Sequence, residues 1–277
     1  MIFYERINQF YSWYLFIVSF AIRIRDFHPG IPAISFNKIH VFFYDCDIYR
    51  PMQRKLSILE SLIPLAAILV SLWMVFFNTP TESEMGIVQK IFYFHVPSAY
   101  VMYLAWIACT VGSVMYIVRG SDKYDMLARS SAEIALMFGV VVMITGPLWG
   151  KKAWGAYWVW DPRLTSALVL TLIILSYVIL RAMSSSEVTK RFSAALSIVG
   201  AALIPLVHIS VYKWRGQHPT VLRGGGLATE MKVTLMVCMT AFTIVFIVTL
   251  RRRYQLEKLR RREKELVRLH QINQFNN

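Results

Sequence analysis

The sequence predicts an all-α, polytopic integral membrane protein, a six-transmembrane-helix bundle with a tryptophan-rich loop on its outer face. Composition is the first reason: 56% of the 277 residues are hydrophobic and 17% charged, against about 45–50% apolar in soluble domains. Mean hydropathy, at +0.48, agrees. The third reason is the presence of six apolar runs, each long enough to cross a hydrocarbon core of roughly 30 Å.

The runs fall at about 56–77, 97–118, 126–148, 164–182, 192–210 and 231–250. Before them, residues 1–51 form an aromatic-rich leader whose best apolar stretch, "FYSWYLFIVSFAI", is short for a span. It has neither the basic n-region nor the small-residue cleavage site of a secretory signal. Two readings stand for it: an interfacial amphipathic segment, or a stretch ahead of a true start at Met52. Residues 52–250 make up the six-span domain, and 251–277 a basic tail.

The formal charge of +14 is densest in that tail, "RRRYQLEKLRRREKELVR", directly after the last run. A basic juxtamembrane helix faces an anionic cytoplasmic leaflet more readily than nucleic acid. Lys and Arg are close to balanced between the two sets of short loops, so the tail and the first flank decide: both termini are expected in the cytoplasm, and a bacterial inner membrane is the expected site. By parity, the loops around 78–95, 149–163 and 208–230 emerge together on the outer face.

Several functions are excluded by pattern. The three cysteines, Cys46, Cys109 and Cys238, show no C-x-x-C or C-x-x-C-H spacing, so they form no zinc knuckle and no c-type haem attachment site. The chain carries no Walker A sequence for ATP hydrolysis.

Six histidines sort by position. His28 and His40 lie in the leader, His270 in the tail and His218 in the polar third outer loop. His95, in "IFYFHVPSAY", and His208, in "ALIPLVHISVY", stand at the outer ends of the second and fifth runs. One histidine at a span end is commonly an interfacial hydrogen-bonding residue, but two on one face flanking an aromatic loop point further. A six-coordinate haem needs two axial nitrogens on opposite faces of a flat ring, and His95 and His208 suit that role as ligands to haem iron.

The loop between them, "WGAYWVWDPRLTS", clusters Trp154, Tyr157, Trp158 and Trp160 between Gly155 and Pro162. Tryptophan and tyrosine line membrane interfaces generally, yet such a cluster is also a flat apolar platform fitted to a porphyrin. Haem propionates need cations, and Arg163, Lys90 and Arg215 are the candidates; Arg163 follows the platform directly and can bind a carboxylate bidentately. Asp161 holds a tryptophan N–H, a loop amide or Arg163 itself.

This loop resembles the W-G-x-x-W-x-W-D (WWD) signature of the haem-handling membrane proteins of cytochrome c maturation, matched by Trp154, Gly155, Trp158, Trp160 and Asp161. The continuation "RLTS", the six spans and one histidine on each side of the signature make residues 52–250 similar to the haem exporter protein C family, CcmC. The resemblance implies that haem b is held non-covalently and transiently at the periplasmic face by His95 and His208. Contacts to the ring would come from Trp154, Gly155, Tyr157, Trp158, Trp160 and Asp161.

It further implies a non-enzymatic delivery role with the periplasmic haem chaperone CcmE as recipient. The small single-span subunit CcmD and the ABC transporter subunits CcmA and CcmB are the other implied partners. The sequence departs from the family pattern in its leader and in Lys90, where relatives often carry arginine. Two other functions compete: a transmembrane haem transporter, which would need polar groups near mid-membrane, and a cytochrome b-like redox subunit, which would need histidines at two depths.

Overall fold

The computed structural model describes residues 50–213, 218 and 227–275. Within them lie six helices: α1 (Arg50–Trp73), α2 (Phe92–Arg119), α3 (Asp122–Trp154), α4 (Pro162–Met183), α5 (Glu187–Lys213) and α6 (Thr229–Phe275). Each contains a segment long and apolar enough to cross a membrane. The chain is a multi-pass, all-α membrane protein.

Local chemistry accounts for the helix ends. Gly120 closes α2 in the left-handed region, at φ 63°, and its N–H bonds the Tyr116 carbonyl. Gly155 closes α3 in the same way, at φ 81°; glycine takes such angles at no steric cost. At the start of α4, Pro162 occupies the first turn, where its missing N–H costs nothing. α1 ends in a π-helical turn, Met74–Asn78, which Thr79 closes by donating its N–H to Met74 at 3.0 Å.

α2 is the central helix. Met102, Ala105, Trp106 and Cys109 are buried against Ala128 to Phe138 of α3, Leu170, Ile174 and Tyr177 of α4, and Phe246 of α6. Trp106 meets Tyr177 edge-on, with ring centroids 5.7 Å apart. Gly112 permits a close approach of α2 to α3, since a Cβ there would lie 2.9 Å from the Tyr124 carbonyl oxygen. A smaller cluster of Val75, Phe92, Tyr93, Met231, Leu235 and Cys238 joins the end of α1 to the starts of α2 and α6. Outward faces carry exposed Leu62, Leu69, Val111, Ile144, Leu172 and Met236, the surface that lipid covers.

α6 runs unbroken from the last span through the basic tail. Its ionic face packs on the other end of the bundle. Arg253 pairs with Glu133, Glu257 with Arg129 at 3.2 Å, and Arg261 with both Asp122 and Asp125. The tail is therefore a docked continuation of a helix, held by the acidic start of α3.

Candidate functional site

His95 stands in the first turn of α2, five residues after Lys90. Its Nδ1 lies 2.9 Å from the Thr145 hydroxyl oxygen on α3. That hydroxyl spends its single hydrogen on the Val141 carbonyl at 2.7 Å. Oγ1 can therefore only accept from His95, which fixes the imidazole as its Nδ1–H tautomer and leaves Nε2 with its lone pair.

His208, on α5, reaches the same electronic state by another route. Its Nδ1 lies 3.0 Å from the Ile204 carbonyl oxygen, which can only accept, so Nδ1 again carries the proton. The ring is exposed and tilts against Tyr103 of α2, with centroids 5.1 Å apart. Among the described residues neither Nε2 has a hydrogen-bond partner. With Nδ1–H bonded to an acceptor and Nε2 bare, each imidazole has the nitrogen lone pair that a metal ion would require.

Arg163, at the start of α4, is close enough that its charge acts on both His95 and Tyr103. The expected propionate cation is thus near the first histidine and near the tyrosine that touches the second. Lys90 is placed otherwise: it is 7% exposed, and its Nζ donates to the carbonyls of Val75 at 2.7 Å, Phe76 at 3.3 Å and Thr79 at 3.5 Å. A π turn leaves carbonyls unpaired, and Lys90 satisfies them, so its ammonium is occupied where the sequence suggested a propionate partner. Arg215 lies outside the described residues.

The tryptophan loop divides into inner and outer parts. Trp154 folds back over α3: its indole meets Trp149 at 5.5 Å, and a Cβ on Gly150 would come within 2.5 Å of Trp154 Cζ2. Trp149 in turn donates to Gln89 Oε1 at 3.2 Å. Trp158 and Trp160 pair edge-to-face at 5.8 Å, and Trp160 is 77% exposed. Tyr157 is also exposed, under the Lys151 ammonium at 5.3 Å. The indole N–H groups of Trp154 and Trp158 are buried without a partner among the described residues.

Asp161 resolves to one of its open alternatives. It is the N-cap of α4, and its Oδ1 accepts the amides of Arg163 at 2.8 Å and Leu164 at 3.3 Å. Asp161 is 5% exposed, and this cap sets the start of the helix directly after the tryptophans. Gly155 likewise acts through its backbone: it turns the chain, and its carbonyl accepts from Lys151 Nζ at 2.9 Å. Thr145, Gly146, Tyr103 and Trp149 were not singled out from the sequence. The "TGP" run at 145–147, a helix-breaking pattern near a span end, is the one signal that pointed there.

A six-helix, multi-pass membrane protein with two histidines held as bare-Nε2 tautomers at the end that carries a tryptophan-rich loop defines the class. The family model for Heme exporter protein C matches residues 42–269, taking in residues on both sides of 52–250. A Heme exporter protein C of Bradyrhizobium diazoefficiens is 34% identical over 192 residues, 68% of this chain and 73% of the relative. A protein of the same description from Paracoccus denitrificans is 30% identical over 67% of this chain and 80% of its own length. A putative cytochrome c biosynthesis ccmC-like mitochondrial protein of Marchantia polymorpha is 30% identical over 64% of this chain and 73% of its own. The chain belongs to the Heme exporter protein C family, which implies a part in haem delivery for cytochrome c maturation.

Proposed function

We propose that this chain holds haem b transiently and non-covalently at the outer, periplasmic face of a bacterial inner membrane and hands it to a haem chaperone of the CcmE kind. Haem is cargo here, bound and released without chemical change by the chain itself. The observation that carries the reading is the matched state of His95 and His208, each with Nδ1 committed and Nε2 bare.

The remaining parts follow from chemistry. Trp160 and Tyr157 offer apolar ring faces at the surface, with the half-buried Trp158 packed edge-to-face on Trp160, an arrangement suited to a flat macrocycle. Arg163 supplies a cation whose charge reaches His95, suited to a propionate. CcmD, CcmA and CcmB fit as the other members of such a system, with both termini of this chain in the cytoplasm. That orientation agrees with the positive-inside tendency of the tail.

The test is a pyridine haemochrome assay with an absorption spectrum on detergent-purified protein, wild type beside His95→Ala and His208→Ala. One low-spin haem per chain, disturbed in each variant, is expected. Two haems per chain would instead support an electron-carrying subunit. Absence of haem from every preparation would favour a conduit for free haem.

A further inference from the structure

We infer that the two histidines are unequal: His95 is the anchored ligand, gripped by Thr145 and Gly146, and His208 is the ligand that lets the cargo go. This rests on the haem reading above. The contrast lies in what fixes each ring.

His95 is fixed by a second helix. Thr145 accepts its Nδ1–H at 2.9 Å while bound to Val141. At the next residue, a Cβ on Gly146 would stand 3.2 Å from His95 Cε1, so the ring edge lies against the α3 backbone. Two neighbouring positions on one packed helix thus set both the tautomer and the plane of the imidazole. Thr145 and Gly146 are positioning residues.

His208 is fixed chiefly by its own helix, through the carbonyl one turn earlier. From another helix, the ring meets the tilted face of Tyr103 and no hydrogen bond among the described residues. It is exposed, whereas His95 is half-buried. A movement of the α5 end carries His208 with it and leaves His95 in place.

Release is then a ligand exchange. The iron–Nε2 bond to His208 breaks with the lone pair staying on the imidazole, and an incoming donor fills the position. No oxidant, reductant or proton is consumed. The recipient approaches from the His208 side, because that ring is the more exposed of the two.

The experiment titrates the full-length chain in detergent with haemin, following occupancy and the absorption spectrum with and without millimolar imidazole. His208→Gly is expected to retain haemin, with imidazole restoring the low-spin spectrum. His95→Gly is expected to lose haemin, and imidazole to restore little. Thr145→Val, nearly isosteric, is expected to weaken haemin binding by about tenfold, the lower end for loss of the group that holds a ligating histidine, with Thr145→Ser restoring it. Equal rescue of both glycine variants, or wild-type binding by Thr145→Val, would overturn the asymmetry alone. Unchanged spectra in both glycine variants would overturn the ligand reading itself.

Discussion

Trp154 occupies the space that a side chain at Gly150 would need: a Cβ there would lie 2.5 Å from Cζ2 and 2.8 Å from Cε2 of the indole. The first tryptophan of the loop is therefore folded onto the last turn of its own helix, and only glycine allows it. Gly150→Ala must displace the indole, and overpacking of this kind costs about 1–3 kcal/mol. A lowered thermal midpoint in detergent is expected. In the Trp154→Ala background the penalty should largely vanish, because the clash has lost its partner; equal penalties in both backgrounds would refute the contact.

Asp161 contributes through backbone amides. Its Oδ1 caps α4 at Arg163 and Leu164, and loss of an N-cap acceptor typically costs about 1 kcal/mol. Asp161→Asn keeps an acceptor and should retain nearly full stability. Asp161→Ala should lose about that amount and release the turn that presents Trp160 and Arg163. Thermal unfolding of the two variants separates capping from any role of the charge, since both remove the charge and only one removes the cap.

The spans were legible in the sequence because lipid imposes a length and a composition on every crossing helix. Their ends were not. α3 continues past Lys151 and Lys152 to Trp154, because Lys151 reaches the Gly155 carbonyl and Gly155 takes the left-handed cap. α6 continues through the tail because its arginines find Glu133, Asp125 and Asp122. His95 and His208 stood out in the sequence by residue type and position as the proposed ligands. Thr145 and Tyr103 were not, because each lies on a different helix from its histidine, in runs whose apolar character hides the pairing.

Lys90 shows how a cation at the mouth of a span misleads. Its ammonium is buried over the π turn of α1, 5.5 Å from the Phe76 ring centroid, and donates to three carbonyls. Lys90→Met leaves those carbonyls unsatisfied, at a cost of about 1–3 kcal/mol. Lys90→Arg keeps donors in reach and should be milder. The thermal midpoints should rank wild type, then arginine, then methionine; a methionine variant as stable as wild type would contradict the capping role.

Glu82, in the loop between α1 and α2, is one place where pH acts on the fold. The amides of Met85 at 2.5 Å and Glu84 at 3.0 Å donate to its Oε2 and hold its carboxyl below the ordinary value of 4.5. A folded value below the unfolded one means that the turn gains stability above about pH 4.5 and loses it as pH falls through the lowered value. A carboxyl NMR titration should find Glu82 below that ordinary value, and Glu82→Gln should remove the acid-side change in this loop. A titration at or above 4.5 would contradict the bonded turn.

The opposite end of the bundle depends on Asp125. Both of its oxygens accept from Arg181 Nη2 at 2.8 Å, and Arg261 of the tail approaches the same carboxylate. Arg181 is 3% exposed, and its Nε and Nη1 have no partner among the described residues. Removing Asp125 would strand a buried guanidinium, a change that costs about 3–5 kcal/mol. Asp122, whose side chain is 62% exposed, pairs with Lys190 and Arg261 nearer to water, where such pairs contribute about 0–1 kcal/mol. Asp125→Ala should therefore lower the unfolding midpoint far more than Asp122→Ala. Arg181→Met in the Asp125→Ala background should recover much of the loss, because no charge is then left buried. Limited proteolysis should also find the tail beyond Arg253 more open in Asp125→Ala than in Asp122→Ala, since only the former removes a buried carboxylate shared by the bundle and the tail. Equal effects of the two substitutions would mean that the tail is held by its exposed pairs, and that the buried arginine has another support.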